Sequence, residues 1–256
     1  GAYKGYRVLP YCPKDQTPLS AHELRMDADV YQNRQDTTVS VAVKLRDEAD
    51  AYAVFWTTTP WTVPTNFAIV VGADIDYVEV RPTEGKFAGK KFYIGKPLLG
   101  SYTKELGENY EVVRELKGAE MAGWRYYPVF PYFASDSALA EGGTPGPNAF
   151  TIFTADYVDT AEGTGLVHQA PYGEDDMNTL NAHEIRSVDV LDAGCKFTSD
   201  CPDYEGLYVF DANLPILRNL RAGDGPLAQM PEDQRALLFQ EKSYVHSYPH
   251  CWRCAT

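Results

Sequence analysis

Two short strings hold most of the residues in this chain that could do chemistry. The first is Phe55-Trp-Thr-Thr-Thr-Pro-Trp-Thr-Val-Pro-Thr-Asn66. Three threonines running into Pro60 cannot extend a central strand, because proline has no N–H to give the ladder. The chain must leave its sheet there, freeing backbone N–H groups beside the hydroxyls of Thr57, Thr58, Thr59 and Thr62. Hydroxyls donate and accept, and free amides hold a developing oxyanion, so the bend suits a polar ester. A threonine-rich strand end that caps its own backbone is the plainer explanation of the same residues.

The second string is Gly163-Thr-Gly-Leu-Val-His-Gln-Ala-Pro-Tyr-Gly-Glu-Asp-Asp176. A buried-type strand ends in His168, a Pro-Gly loop follows, and acids open a helix. That sets an imidazole and a carboxylate at the rim of one sheet. An ionised Asp176 accepts charge-assisted bonds and so suits a cationic α-amino group. Asp175 and Asp176 are also what a helix N-terminus favours electrostatically, and a lone histidine is more often structural. A third group stands near the ends. Cys251-x-x-Cys254 is half of a zinc site, and Cys12 with Asp15 supplies another thiolate and a carboxylate. A structural zinc and a metal-free clasp both fit these four residues. Cys195 and Cys201 lack the spacing of a metal pair.

The elements that must carry these groups are mostly strands. Val39, Val41 and Val43 alternate with polar or small neighbours, a half-buried strand pattern. Comparable segments are 51–56, 67–71, 77–80, 92–94, 110–113, 150–155 and 165–168. Turn signals at 82–85, 95–97 and 141–148 separate them. Helical periodicity predicts helices over 175–185, 212–220 and 232–242. Many strands with a few inserted helices give an α+β fold built on a β-barrel with peripheral helices. The proline-bearing ends, 1–24 and 243–256, read as two extended legs of a longer protein, with 25–242 as the domain between them.

The chain has 256 residues, 44% of them hydrophobic, enough for a packed core without staples. Its net charge of −13 is the wrong sign for a domain that grips nucleic acid unaided. Any RNA contact must be local, or supported by a basic region elsewhere in a larger protein. Lys86, Lys90, Lys91 and Lys96 are one candidate, although a solvated β-turn region is the plainer explanation of them. The longest strongly apolar run, Phe67 to Val71, is far short of a membrane span. Five scattered cysteines suit a reducing compartment, so a cytoplasmic protein is expected.

Taken together, Thr-Thr-Thr-Pro-Trp-Thr-x-Pro-x-Asn, Gly-Thr-Gly-x-Val-His-x-Ala-Pro and Gly-x-Asp-Asp resemble the editing domain of isoleucyl-tRNA synthetases. Tyr6-Arg-Val-Leu-Pro-Tyr-Cys-Pro and His246-Ser-Tyr-Pro-His-Cys-Trp-Arg-Cys resemble the legs joining that insertion to its catalytic domain. The resemblance implies hydrolysis of valine wrongly attached to the isoleucine transfer RNA, with water as the attacking group. It makes Thr57, Thr58, Thr59 and Thr62 the lining of the pocket for the 3′-terminal adenosine and aminoacyl ester, with Asn66 closing the string. Thr58, Thr59, His168 and Asp176 become the candidate catalytic residues. His168 would refuse isoleucine and Asp176 would hold the α-ammonium. The loop after His168 is one residue shorter than the family's usual form, which leaves Asp175 as an alternative ligand and an editing-inactive tRNA-binding insertion as an alternative function. Editing of this kind needs no cofactor. The implied partners are the mischarged tRNA end and the rest of the synthetase in cis, with no membrane.

Overall fold

The computed structural model describes residues 7–25, 30–134 and 144–255. The start of the expected first leg (1–6), residues 141–143 of an expected turn, and Thr256 lie outside the described residues. The strands in chain order are β1 (Tyr11–Cys12), β2 (Thr17–Pro18), β3 (Tyr31–Lys44), β4 (Ala51–Thr57), β5 (Ala68–Val71) and β6 (Asp76–Pro82). They continue as β7 (Lys91–Gly95), β8 (Tyr110–Lys117), β9 (Thr151–Thr154), β10 (Leu166–Gln169) and β11 (Leu237–Pro249). β3 to β11 make one curled mixed sheet, a half-barrel, and β1 and β2 form a separate hairpin. Among the described residues four α-helices accompany it: α1 (Thr103–Leu106), α2 (Gly118–Met121), α3 (Glu174–Ala182) and α4 (Val209–Ala222).

The period-2 pattern of β3 and β4 builds two cores at once, because successive side chains point to opposite faces. Val41, Val43, Ala53 and Phe55 enter the larger cluster, whereas Ala42, Tyr52 and Val54 enter the smaller one. With both faces covered, β4 reads as an almost continuous apolar run, the signature of a central strand.

One expected helix is a strand. Residues 232–242 were expected to be helical, but only a 3-10 turn at Glu232–Gln234 forms before β11 begins at Leu237. Pairing decides the matter. β11 runs antiparallel along β3 from Leu237↔Ala42 to Pro249↔Tyr31, with a bulge between Leu238 and Gln240. That ladder buries Leu238 in the larger core and Phe239 in the smaller, and long-range pairing of this kind overrides local helical period.

The far edge of β4 is shared between two parallel partners. β7 pairs with it at Ala51–Ala53, and β10 takes over at Trp56, opposite Val167. Parallel strands end on the same rim of their sheet. The threonine bend after β4 and the loop after β10 therefore leave side by side.

Candidate active site

β4 stops at Thr57, and Pro60–Thr65 wind into a 3-10 helix with Pro60 at its start, where a missing N–H costs nothing. Asn213 of α4 pins this helix by accepting the Trp61 N–H at 2.9 Å. Inside the bend the threonines hold one another. The Thr59 N–H donates to the Thr57 hydroxyl at 3.1 Å, and the Thr59 hydroxyl lies 3.2 Å from that of Thr57 and 3.3 Å from that of Thr62. Thr62 donates its own proton to the Thr59 carbonyl at 2.8 Å. Self-capping and an array of hydroxyls facing a cavity thus coexist in the same residues.

His168 sits on β10 beside this array. Its Nε2 is 2.9 Å from the Thr62 hydroxyl and its Nδ1 is 2.7 Å from the Asn66 amide nitrogen. Because the Thr62 proton goes to Thr59, the Thr62 oxygen accepts and Nε2 carries the hydrogen; Asn66 then donates to a bare Nδ1. The ring stacks on Phe55 with centroids 5.1 Å apart, and burial lowers its pKa to about 3. His168 is a neutral imidazole with both nitrogens engaged, a wall and not a base. Asn66 reaches it because β5 pairs with β10 in the register His168↔Ile69.

Asp176 stands in the first turn of α3, and Asp175 beside it is exposed. Burial is the main cause that raises the Asp176 carboxyl to about 7; the Ala170 backbone N–H works against it, and Asp175 adds to it. Gly173 makes room for this side chain, since a Cβ there would lie 2.9 Å from the carboxylate oxygen.

These groups converge. Thr57, Thr58, Thr59, Thr62, His168 and Asp176 all line one cavity of about 750 Å³. Asn66 does not line it and acts from behind His168; Asp175 does not line it either. Asp159 and Glu162 are on its rim, and no lysine or arginine is among its described lining residues. The field inside favours a cation.

Comparison with known proteins follows the same direction. No family model matches the chain. It is 85% identical over 255 residues to isoleucine–tRNA ligase from Bifidobacterium longum, covering 100% of this chain and 23% of that protein. It is 45% identical to the isoleucine–tRNA ligase of Mycobacterium tuberculosis, over 99% of this chain and again 23% of the relative. The chain belongs to the isoleucine–tRNA ligase family. It spans about a quarter of the length of these relatives. In fold it is similar to the crystal structure of GlLeuRS-CP1, with a TM-score of 0.51 and 10% identity, covering 80% of this chain and 100% of that one.

In this ligase segment the cysteine cluster also assembles. Cys12, Asp15, Cys251 and Cys254 offer donor atoms all within 4.8 Å of one another. The Cys12 and Cys254 sulfurs are 3.4 Å apart, and the Cys251 sulfur is 3.7 Å from an Asp15 oxygen. Three sulfurs and one carboxylate oxygen at such separations fit a tetrahedral zinc. Cys201 is buried, Cys195 is half-buried, and neither belongs to this group.

Each of the four lysines has a partner within the protein. Lys91 is held by Glu48 and Glu79, Lys96 by Glu115 at 2.7 Å, while Lys86 and Lys90 lie over the rings of Phe87 and Tyr52. Several lining residues carry no signal in sequence reasoning: Tyr157, Glu162, Tyr172 and Tyr248. Tyr172 lies within the second string but stands out only because its ring meets Trp61 at 4.8 Å. Tyr126, behind Asn66, comes from a stretch with no motif at all.

Proposed function

We propose that this segment hydrolyses aminoacyl-tRNA wrongly charged with valine on the isoleucine tRNA. One methylene gives only about 1–3 kcal/mol of discrimination, and the isoleucine–valine pair is itself the well-known instance, so a second hydrolytic pocket is needed. The observation that carries the reading is the convergence of the threonine bend, His168 and Asp176 on one acid-lined cavity.

In this mechanism Asp176 pairs with the substrate's α-ammonium and fixes the ester in the cavity. That pairing favours the ionised carboxylate against the burial that disfavours it. Thr57 and Thr62 shape the floor for the ribose, and Thr58 and Thr59 orient the attacking water. The water adds to the ester carbonyl carbon, and the oxyanion that develops is held by hydroxyl and backbone donors of the bend. Collapse breaks the bond to the ribose oxygen, which takes the proton released by the water. Valine and a free tRNA 3′ end leave. His168, neutral and fixed on both nitrogens, meets the amino-acid side chain and excludes isoleucine.

We also assign Cys12, Asp15, Cys251 and Cys254 to a structural zinc; none of the four lines the cavity. The partners would be the tRNA end and the remainder of the ligase in cis, in the cytoplasm. The test is hydrolysis of 3′-valyl- and 3′-isoleucyl-adenosine by the chain. Preferential loss of the valyl ester is expected; equal indifference to both at high enzyme concentration rejects the proposal.

A further inference from the structure

Tyr126 is fully buried and sixty residues away in sequence from Asn66, to which its hydroxyl donates at 2.6 Å. Its backbone is fixed independently of that bond. The Tyr126 N–H donates to the Phe150 carbonyl at 3.0 Å, its carbonyl accepts from Arg46 Nε at 3.2 Å, and it bridges to Leu45. The ring meets Phe150 edge-on with centroids 6.1 Å apart. The hydroxyl is therefore delivered to a set position and is not needed to place the chain.

At the other end of the bond stands an amide with no free choice. Asn66 Nδ2 donates to the Ala68 carbonyl at 3.1 Å and to His168 Nδ1 at 2.7 Å. A carbonyl only accepts, so the amide nitrogen must face it, and the amide oxygen is left to Tyr126. From His168 the sequence passes through Nε2–H to Thr62 and through the Thr62 proton to the Thr59 carbonyl. We propose that Tyr126 is a positioning residue: acting through Asn66, it locks His168 in its Nε2–H tautomer and thereby fixes the hydroxyl array of the cavity. The consequence for substrate choice rests on the proposed editing function; the tautomer itself does not.

The alternative arrangement shows why the lock matters. With no donor from Tyr126, the Asn66 oxygen is a buried acceptor without a partner, a costly state. A flipped amide gives that oxygen a donor in His168 Nδ1–H but sets it against the Ala68 carbonyl, so the two orientations compete and neither satisfies every group. Nε2 is then bare, and Thr62 must turn its proton away from Thr59 to meet it. The wall and the bend would change together.

The test is Tyr126→Phe in this chain, which keeps the ring and the backbone contacts and removes only the hydroxyl. Side-chain nitrogen NMR spectra of the histidines report the tautomer, with His168 assigned by the resonances lost in His168→Gln. The unsubstituted chain is expected to show Nε2–H alone, and Tyr126→Phe a mixture of both tautomers. Hydrolysis of valyl-adenosine should lose about fivefold in kcat with KM changed less than twofold, and the valyl-to-isoleucyl preference should shrink by a similar factor. Asn66→Asp, which places an acceptor at Nδ1, should move the proton there. A wild-type tautomer in both variants, even with a lowered melting temperature, overturns the proposal and leaves Tyr126 a packing residue. The spectra need no substrate, so inactivity of the unsubstituted chain would sink the editing function and leave this one to the resonances.

Discussion

The hydroxyl-lined cavity and the cysteine cluster are both polar assemblies drawn from distant parts of the chain, and they are organised in opposite ways. At the cavity, the hydrogen-bond partners of His168 come from a 3-10 helix and its C-cap, its ring stacks on Phe55 of β4 between the two cores, and both ring nitrogens are satisfied within the protein. The cluster has little beneath it: Cys12, Leu19 and Cys251 make a small separate core, with Leu24 and Cys254 against it. Its sulfur contacts of 3.4 and 3.7 Å are weak ones. One site is preorganised by packing, which is what catalysis requires. The other brings candidate ligands together with little packing behind them, so the zinc proposed there would contribute folding energy on binding.

The comparison can be broken most sharply at Asp176. Asp176→Ala should lower kcat/KM for valyl-adenosine by about 100-fold, as loss of one partner from a desolvated charge pair costs roughly 2–5 kcal/mol. Asp175→Ala, altering an exposed neighbour, should stay within about twofold. Equal losses in the two variants would remove the distinction that the cavity draws between them. At the cluster, Cys251→Ser or a chelator should raise amide hydrogen exchange across β1, β2 and residues 250–255 by at least about tenfold. Turnover of the minimal adenosine ester should change less than about twofold. Coupled loss of both properties would show that the two regions are one cooperative unit.

A smaller effect is expected from Gly173→Ala, whose methyl would press on the Asp176 carboxylate. About a tenfold loss in kcat/KM, carried mainly by KM, would mark a misplaced ammonium ligand; an unchanged KM would show that the carboxylate accommodates. The mildest probe is pH. Asp176 is raised to about 7 in the folded chain, so kcat/KM should climb several-fold as pH passes through that value, and Asp176→Asn should lack this limb. The stability effect has a definite sign. The unfolded chain ionises Asp176 first, near its ordinary pKa, so the penalty of burying it is absent below about pH 4 and complete above about pH 7. Asp176→Asn should accordingly raise the melting temperature at pH 8 and leave it unchanged at pH 4. Stabilisation of equal size at both values would assign the effect to packing.

Much of this was legible in the chain itself. Proline after three threonines ends a strand whatever surrounds it, and β4 stops at Thr57 as that chemistry requires. The alternation in 39–43 and the apolar run in 51–56 fixed two strands to within a few residues, except that β3 extends back to Tyr31 along its partner β11. The helix expected over 232–242 gives way to β11 because its pairing with β3 is long-range, and nothing local announces a partner almost two hundred residues away. The site residues were visible as types and spacings, with Asp176 the candidate and Asp175 left open as an alternative. Only a fold can leave one of two adjacent carboxylates exposed and half-bury the other in a cavity.

What the sequence determined alone is the local chemistry: where the backbone must bend, which side chains donate or accept, and which family the motifs resemble. The tertiary structure decided that β10 runs parallel to β4, with Val167 opposite Trp56, and so placed both strings on one rim. It also decided that Tyr126, which no motif marks, stands behind Asn66. The physical reason is common to both. Strand direction and side-chain apposition are set by which cores the elements fill together, and that depends on contacts between residues far apart in the chain.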